Sequence, residues 1–548
     1  MRAIMKHRPE GNGFSRRQLL SLMGKAGGSI AVWHSAQALG LMGAPAKPTR
    51  PQGRMLTPLV PKGGPRPKVA VLGAGIGGLS AAFELEQAGY DVTLLEASHR
   101  IGGRNFTVRA GTVIDELGNR QVCNFDDDPD LYFNAGPARL PAMHLRIMNY
   151  CREFAIELEP FINSNYNAWV VDEAMHDGQR IRQRDVIADA RGFIAELAAK
   201  GVSNRSLDTP VSDTDLDKLN AYVRGFGDLN ADSMRYEGSV RAGLLTDGML
   251  DPIKVKPFGS VKELVESQFV QGGMLFAENE YQAPTMMQPR GGMDRIVDAF
   301  VTRLRKPPVT RARVVEIVNG DNGVTVHYEQ DDRIKTLQTD YCLNSIPGQL
   351  MAGIKHNFSG HYRQLLGEIK RGMLSKVGFQ MSRRFWEEEG IYGGISWTDR
   401  STLQVWYPSH GSHRPKGVVL GAYIFSQDDN AAFGRLSHEE RLEYATVSGE
   451  ALHPGQYREH IESGVSVVWH RMNHLLGCGS GIGDIENVFD LEADKIRAEL
   501  LAGEGRHFML GDQMSKHPGW QEGALAVTER VLQNVHRRES ARQLSATS

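Results

Sequence analysis

The hydrophobic and polar positions of the chain first take a regular pattern at residues 68–95. Residues 69–72 form a continuous apolar run, which is typical of a strand buried on both faces. Apolar residues then recur at helical spacing, at Leu79, Ala82, Phe83 and Leu85. A second strand is predicted at residues 91–95. The pattern therefore predicts a strand, a helix and a second strand, the repeating unit of a parallel α/β sheet.

Later regions show other patterns. Residues 183–269 are polar, with apolar residues at helical spacing, which predicts a mostly helical segment. Residues 309–317 and 323–328 alternate between apolar and polar positions, which predicts a β-hairpin. Strands and short helices are predicted over residues 371–475, and no stretch beyond residue 66 is apolar for long enough to span a bilayer.

Glycines occupy the junction between the first strand and the helix. Gly73, Gly75 and Gly78 have the spacing G-x-G-x-x-G, which allows a tight turn, close approach of the backbone to a pyrophosphate, and close helix packing. The helix that follows directs its N–H groups and dipole toward such a diphosphate. Glu96 ends the second strand roughly twenty residues further on, where an acid accepts hydrogen bonds from a ribose diol. The order of these features predicts a dinucleotide-binding site.

The residues after Glu96 distinguish between dinucleotides. Residues 96–104, EASHRIGGR, resemble the E-x5-G-G-R continuation of the flavin amine oxidase superfamily. The resemblance implies an FAD cofactor and an α/β fold, with a Rossmann-like FAD-binding domain of glutathione-reductase type, an α+β substrate domain and a helical insertion. Matching motifs imply these cofactor-binding residues: Gly73, Ala74, Gly75, Gly77, Gly78, Glu96, Ala97, Arg104, Gly136, Pro137, Ala138, Arg139, Val314, Asp512, Trp520, Gly523 and Ala524.

A second motif concerns the substrate. Residues 136–141, GPARLP, resemble the segment G-P/A-x-R-(I/L)-P of the L-amino acid oxidases, in which an arginine lies over the flavin. The resemblance implies that Arg139 binds the substrate carboxylate, because a planar guanidinium holds a carboxylate through two hydrogen bonds. A structural ion pair near the FAD phosphates is the alternative role for this arginine.

Three further site residues follow from the same resemblance. Lys376, in an apolar strand, matches the catalytic lysine that hydrogen-bonds a water at flavin N5, although a solvent-facing strand lysine would give the same pattern. Tyr423 is expected to donate its hydroxyl to the carboxylate that Arg139 holds, with a core tyrosine as the alternative. Trp520 is expected to form a wall beside the substrate amine.

Cysteines bear on how the FAD is held. The closing segment, residues 512–524, contains no cysteine, so the flavin thioether of mammalian monoamine oxidases is not expected and noncovalent FAD is predicted. The four cysteines, Cys123, Cys151, Cys342 and Cys478, lie far apart and lack the spacing of metal ligands. We interpret them as buried thiols.

Composition and charge exclude other classes of function. The 548 residues are 41% hydrophobic and 23% charged, as in a soluble globular protein of more than one domain. The net charge of −2 gives no indication of a nucleic-acid partner. Neither H-E-x-x-H nor G-x-S-x-G occurs, so metalloprotease and serine-triad chemistry have no support and no metal is predicted.

The N-terminal residues predict export. Residues 15–20, SRRQLL, resemble the twin-arginine motif, and a weakly hydrophobic run at 22–42 precedes APA at 44–46, which resembles a cleavage site. This implies the twin-arginine export machinery as a partner and a periplasmic or secreted protein, exported folded, whose mature form does not span the membrane. A disordered basic leader is the alternative.

The motifs divide the chain into alternating segments. A signal peptide (1–46) and a linker (47–66) precede three parts of the FAD-binding domain, at 67–140, 288–350 and 479–548. Three parts of the substrate domain lie between them, at 141–182, 270–287 and 351–478, and the helical insertion occupies 183–269.

Together these features predict an L-amino acid oxidase that transfers a hydride to flavin N5 and yields a 2-oxo acid, ammonia and hydrogen peroxide, with dioxygen as acceptor. An amine or alkaloid oxidase, an amino acid 2-monooxygenase and a non-catalytic FAD-binding redox protein remain open. The preferred side chain is not readable from the sequence, and neither is the oligomeric state, for which a homodimer is compatible.

Overall fold

The predicted strand–helix–strand unit forms β1 (Lys68–Leu72), α1 (Ile76–Ala88) and β2 (Asp91–Leu95). The structure is a computed structural model that describes residue 56 and residues 66–204, 212–246, 248–483 and 490–547, all within one compact unit, Met55–Ser548. The export motif and the cleavage site lie outside the described residues. No helix within these ranges is long and apolar enough to cross a bilayer.

Short strands and one helix lead to the insertion. They are β3 (Thr107–Val108), β4 (Val113–Glu116), β5 (Asn119–Val122), β6 (Phe133–Asn134), β7 (Leu140–Pro141), α2 (Leu145–Glu153), β8 (Leu158–Phe161), β9 (Trp169–Val171) and β10 (Ile181–Arg182). The polar interval 183–269 then forms α3 (Gln183–Ser203), α4 (Asp213–Gly227) and α5 (Val261–Glu266). A π-helical turn, Phe269–Gly273, and a 3-10 turn, Phe276–Glu278, follow.

The rest of the chain returns to mixed strands and helices. The elements of residues 286–372 are β11 (Met286–Pro289), α6 (Asp294–Val301), β12 (Arg313–Asn319), β13 (Val324–Gln330), β14 (Arg333–Thr339), β15 (Tyr341–Asn344), β16 (Lys355–His356), α7 (Gly360–Gly367) and β17 (Ile369–Gly372). The last elements are β18 (Ser375–Met381), α8 (Phe385–Glu388), β19 (Gly394–Thr398), β20 (Gln404–Tyr407), β21 (Gly417–Ile424), α9 (Gln427–Phe433), α10 (His438–Leu452), β22 (Ile461–Val468), β23 (Cys478–Ile482), α11 (Leu491–Ala502), β24 (His507–Met509) and α12 (Gln521–Thr547).

A parallel sheet of order β2-β1-β15-β24 carries the glycine loop. Its strands lie in the three separated segments predicted to build the FAD-binding domain, and α12 packs against α1. The carboxyl ends of parallel strands meet at one edge of a sheet, so the loops that begin at Gly73, Glu96, Ser345 and Leu510 converge there. The predicted α/β FAD-binding fold is confirmed, whereas the exact domain boundaries stay a prediction.

A second sheet has the order β10-β9-β19-β20-β21-β18-β22 and is built mainly from antiparallel pairs. Strand β18 is buried along its whole length between β21 and β22. In the β18–β21 pair, Lys376 lies directly opposite Tyr423. Because directly opposed residues of an antiparallel pair share a face, the two predicted site residues are brought together by register alone.

The predicted hairpin contains a third strand. Strands β12 and β13 pair as expected, and β14 adds to β13 along its whole length. Strand β14 reads RIKTLQT and is largely exposed. Its sequence lacks the apolar alternation of a half-buried strand, so only its pairing with β13 defines it.

Candidate active site

A cavity of about 710 Å³ is lined by residues of both sheets and of the closing segment before α12. Most of the residues predicted to bind the cofactor are on its wall. They are Gly73, Gly75, Gly77, Glu96, Ala97, Arg104, Gly136, Pro137, Ala138, Arg139, Val314, Asp512, Trp520 and Ala524. The motifs are therefore gathered around one space, although they come from distant parts of the chain.

The glycine loop leaves its backbone open to this cavity. An ideal Cβ at Gly75 meets no heavy atom within 4 Å, whereas one at Gly78 would lie 1.9 Å from the carbonyl oxygen of Gly73. Gly78 therefore permits α1 to pack on the turn, and Gly75 exposes the start of the helix. Helix α1 has no side-chain cap and no acid in its first turn, so its N-terminus suits an anion.

Three residues predicted to contact the cofactor support the wall from behind. The amide of Ala74 donates to Glu96 Oε2 at 2.8 Å, and Gly78 packs against the turn. A Cβ at Gly523 would lie 2.5 Å from Ser515 Oγ, so this glycine allows α12 to approach the preceding loop. None of the three is on the cavity wall.

Glu96 is fixed by the backbone around it. Its Oε2 accepts from the Ala74 amide, and its Oε1 accepts from the Ser98 amide at 2.8 Å. The carboxylate also lines the cavity. Since each carboxylate oxygen has two acceptor positions, Glu96 retains capacity for the hydroxyls of a ribose.

Arg104 and Asp512 form a largely buried ion pair in the cavity wall. Arg104 Nη1 donates to Asp512 Oδ2 at 2.9 Å, and Asp512 also accepts from the Gly519 amide at 2.7 Å. Burial opposes the charge of Asp512, but the neighbouring Arg104 outweighs it and lowers the pKa of this carboxyl. Two of the residues that the resemblance implies at the cofactor, Arg104 and Asp512, are thus held by each other.

Arg371 is a second cation beside this pair, and no sequence motif indicated it. Arg371 lines the cavity, and its Nη2 donates to the carbonyl of Gly477 at 2.5 Å. Burial, followed by repulsion from Arg104, lowers the pKa of Arg371 to about 9. The charge of Asp512 acts on both guanidinium groups, while its ion pair is formed with Arg104.

These features fit FAD. The exposed glycine backbone, the uncapped start of α1 and the arginines 104 and 371 suit a diphosphate. Glu96 suits the ribose of the adenosine end, and Val314 lies on the adjacent wall. The cavity continues to Arg139, Tyr423 and Trp520, the residues predicted to bind substrate, so there is space beside them that would hold the flavin ring.

Arg139 is buried, with 8% of its surface exposed, and has no carboxylate partner among the described residues. Its Nε and Nη2 donate to Oε1 of Gln282 at 3.1 and 2.6 Å. Aromatic rings surround the guanidinium, with centroid distances from Cζ of 4.7 Å for Trp406, 5.5 Å for Trp520 and 5.8 Å for Phe276. Burial lowers the pKa of Arg139 to about 10, so it remains charged at neutral pH. An uncompensated buried cation of this kind attracts an anionic ligand.

Lys376 lies behind the wall rather than on it. Its Nζ donates to the carbonyl of Gly136 at 2.6 Å and lies 4.4 Å from the ring centroid of Tyr423. Burial, followed by the charge of Arg139, lowers the pKa of Lys376 to about 7. Lys376 therefore holds the backbone that leads to Arg139, and its expected contact with a water at the flavin stays a prediction.

Tyr423 and Trp520 do reach the cavity. Burial raises the pKa of Tyr423 to about 12, so its hydroxyl is protonated and able to donate a hydrogen bond. Trp520 packs edge-on against His144, with ring centroids 5.0 Å apart. Burial, followed by the effect of His517, lowers the pKa of His144 to about 4, so a neutral imidazole supports the tryptophan.

The site also contains residues that sequence reasoning missed. Gln282, Trp406 and Phe276 contact Arg139, but they lie in segments without any motif. Cys478 was interpreted as a buried thiol, yet it is half-buried and on the cavity wall, while the other three cysteines are buried. The β17–β23 pairing places Cys478 opposite Gly372, which brings it beside the cavity.

Known proteins resemble this chain in sequence and fold. The family model for flavin containing amine oxidoreductase matches residues 76–531. The flavin-dependent L-tryptophan oxidase RebO of Lentzea aerocolonigenes is 26% identical over 490 residues, which cover 84% of this chain and 95% of that protein. The L-amino-acid oxidase of Siganus canaliculatus is 25% identical over 480 residues, 86% of this chain and 85% of that one.

A structural neighbour shows the same fold. Putrescine oxidase bound to putrescine matches with a TM-score of 0.57 at 17% identity, over 86% of this chain and 99% of that one. The chain therefore belongs to the flavin containing amine oxidoreductase family, a flavin-dependent family that typically holds FAD noncovalently, as the sequence predicts.

Proposed function

We propose that the protein oxidatively deaminates an L-amino acid to the 2-oxo acid, ammonia and hydrogen peroxide. The observation that carries this proposal is Arg139, a buried cation on the cavity wall whose hydrogen-bonding partner is the neutral amide of Gln282. A substrate with a carboxylate supplies the missing negative charge, whereas a simple amine has no negative charge to offer Arg139. The named activities of RebO and the Siganus canaliculatus enzyme support the same class of substrate.

The chain's own residues would bind and orient the substrate. Arg139 would hold the carboxylate through its N–H groups, and the protonated hydroxyl of Tyr423 would donate a further hydrogen bond. Trp520, on the cavity wall, would flank the α-carbon and exclude water, so that one C–H bond is fixed in direction. FAD, when bound, would supply the two-electron acceptor for this hydride, with dioxygen as the final acceptor. The imino acid that results would be hydrolysed by water to the 2-oxo acid and ammonia. No protein base is needed if the substrate binds as the neutral amine.

A peroxide-coupled screen of the FAD-loaded protein tests the proposal. The twenty L-amino acids, several D-isomers and simple amines such as putrescine are compared. We expect peroxide with L-amino acids, together with the matching 2-oxo acid and ammonia. Peroxide from amines alone would overturn the proposal in favour of an amine oxidase, and an amide with carbon dioxide would identify a monooxygenase.

Substitution of Arg139 separates a substrate role from a structural one. In Arg139→Ala, kcat/KM for an L-amino acid should fall about 100-fold, since two charge-assisted hydrogen bonds are lost. For an amine substrate without a carboxylate, kcat/KM of Arg139→Ala should equal that of the wild type. Equal losses for both kinds of substrate, with normal FAD content, would contradict the clamp.

We further propose that the protein is exported in the folded state by the twin-arginine machinery to the periplasm or medium. Support comes from SRRQLL at residues 15–20 and from the weakly hydrophobic run that follows. An enzyme that must bind FAD before transport is suited to a route that carries folded proteins.

A further inference from the structure

A second cavity, of about 330 Å³, lies beside the first. Phe276 and Phe425 are on the walls of both cavities. The ring centroid of Phe276 is 5.8 Å from Cζ of Arg139, and that of Phe425 is 4.2 Å from the ring centroid of Tyr423. The two phenylalanines therefore stand between the expected carboxylate-binding residues and this second space.

The wall of the second cavity is mainly apolar. Trp397 packs edge-on against Phe276, with centroids 5.4 Å apart, and its centroid is 6.0 Å from that of Phe269. Val170, Val171 and Leu403 complete the hydrocarbon surface. Such a surface favours an apolar ligand, because it provides contacts without requiring polar groups to be desolvated.

Two acidic residues, Asp172 and Asp399, also line this cavity, and the protein holds their carboxylates in hydrogen bonds. Asp172 Oδ2 accepts from Ser267 Oγ at 2.8 Å and from the Phe269 amide at 3.3 Å. Asp399 Oδ2 accepts from the Glu173 amide at 2.7 Å. These acids shape the ends of strands and turns, and their charge repels an acidic side chain.

We propose that the second cavity is the side-chain subsite of the enzyme and that it selects L-amino acids with large apolar or aromatic side chains. The inference rests on the proposed function, which anchors the carboxylate at Arg139. From that anchor, a side chain passes between Phe276 and Phe425 and is buried against Phe269 and Trp397. A methyl side chain leaves this space unfilled and gains no binding from it.

Gly272 offers a way to fill the subsite without disturbing its wall. Gly272 lines the second cavity, and an ideal Cβ there meets no heavy atom within 4 Å. At the neighbouring Gly273, a Cβ would lie 2.5 Å from the Phe269 ring. A matched control is Gly201 in α3, where a Cβ also meets nothing within 4 Å and which lines neither cavity.

The experiment compares kcat/KM for L-tryptophan, L-phenylalanine, L-alanine, L-lysine and L-glutamate in the FAD-loaded wild type, Gly272→Leu and Gly201→Leu. A single methylene in an apolar pocket changes kcat/KM about tenfold or more, so the aromatic substrates should exceed L-alanine about 100-fold in the wild type. Gly272→Leu should reduce the tryptophan-to-alanine ratio about tenfold or more, and Gly201→Leu should leave that ratio unchanged. FAD content and melting temperature check that both variants fold.

Other outcomes would contradict either the subsite alone or the proposed function as well. Equal losses for L-tryptophan and L-alanine in Gly272→Leu, or a preference for L-lysine or L-glutamate in the wild type, would overturn the subsite while leaving amino acid oxidation intact. If no amino acid yields peroxide, the proposed function fails and the subsite fails with it.

Discussion

Oε1 of Gln282 accepts hydrogen bonds from both Nε and Nη2 of Arg139, at 3.1 and 2.6 Å. One neutral oxygen thus takes two N–H groups of the guanidinium that a substrate carboxylate would use. A carboxylate would add the attraction of opposite charges to these hydrogen bonds, which the amide oxygen of Gln282 cannot do. A carboxylate ligand would therefore have an advantage over the amide, and Gln282 would keep Arg139 ordered in its absence.

Gln282→Glu should convert this partner into an internal competitor. A glutamate at this position pairs permanently with Arg139, so we expect KM for an L-amino acid to rise about tenfold or more, with little change in kcat. Steady-state kinetics with the peroxide assay measure KM and kcat of the wild type and the variant. Gln282→Leu is the control, because it removes the amide without adding charge, and an unchanged KM in the glutamate variant would argue against the overlap.

Lys376 should make stability depend on pH. The pKa of Lys376 in the folded protein is about 7, whereas an unfolded lysine titrates near pH 10.4. Between these values the unfolded state binds more protons, so the free energy of unfolding contributed by this group increases as pH rises from about 7 to about 10. Urea unfolding at pH 7 and pH 9.5, with FAD present, should show a larger increase for the wild type than for Lys376→Met. Identical pH dependence in the two proteins would rule out the low pKa.

Substitution of Gly75 and of Gly78 should have different effects, one on FAD binding and the other on stability. Gly75→Ala places a methyl group in open space within the cavity, so the apoprotein should keep its melting temperature while the Kd for FAD rises about tenfold or more. Gly78→Ala places a methyl group 1.9 Å from the Gly73 carbonyl, so the apoprotein should lose about 3 kcal/mol of stability. Flavin fluorescence and thermal unfolding separate the two effects. The reverse assignment would mean that the loop faces the other way.

The Arg104–Asp512 pair should stabilise the cofactor site through its charges. Arg104→Met leaves the Asp512 side chain, 5% exposed, without its nearest counter-ion, and should cost about 3 kcal/mol. Asp512 has a lowered pKa, so the contribution of the pair is present above about pH 4 and is lost as pH falls below that value. A double-mutant cycle with Asp512→Asn measures the coupling, and fully additive losses would show that the two side chains act independently.

The export proposal has a direct test. Replacing both arginines of the SRRQLL motif, Arg16→Lys with Arg17→Lys, should retain the protein in the cytoplasm with FAD bound. Fractionation and immunoblotting of cells that express the wild type and the double variant measure this. Export of the variant at the wild-type level would remove the support for the twin-arginine route.

Local sequence patterns predicted the nucleotide-binding unit well. The buried run before Gly73, the glycine spacing and the acid at Glu96 lie within one short segment, so periodicity and motif carry the information. The edge strand Arg333–Thr339 was missed, because it is exposed and polar and is defined only by pairing with its neighbour. β-Propensity gives little signal for such a strand, because it reflects side-chain packing on a half-buried surface.

Residues of the candidate site could be predicted only where they belong to a recognisable sequence motif. Arg139, Tyr423 and Trp520 were expected there and line the cavity together. Gln282 lies 143 positions after Arg139 in the chain, and its importance arises from a contact that only the fold creates. Arg371 likewise belongs to no motif, and its place on the cavity wall near the charges of Arg104 and Asp512 is created by the fold.

The parallel sheet makes the cofactor cavity depend on segments that lie far apart in the chain. Strand β24, at His507–Met509, pairs with β15, which itself pairs with β1, and Asp512 lines the same cavity as the glycine loop. A polypeptide truncated before His507 lacks both β24 and Asp512, so it lacks one strand of this sheet and part of the cavity wall. Such a truncated polypeptide should bind FAD much more weakly than the 548-residue chain.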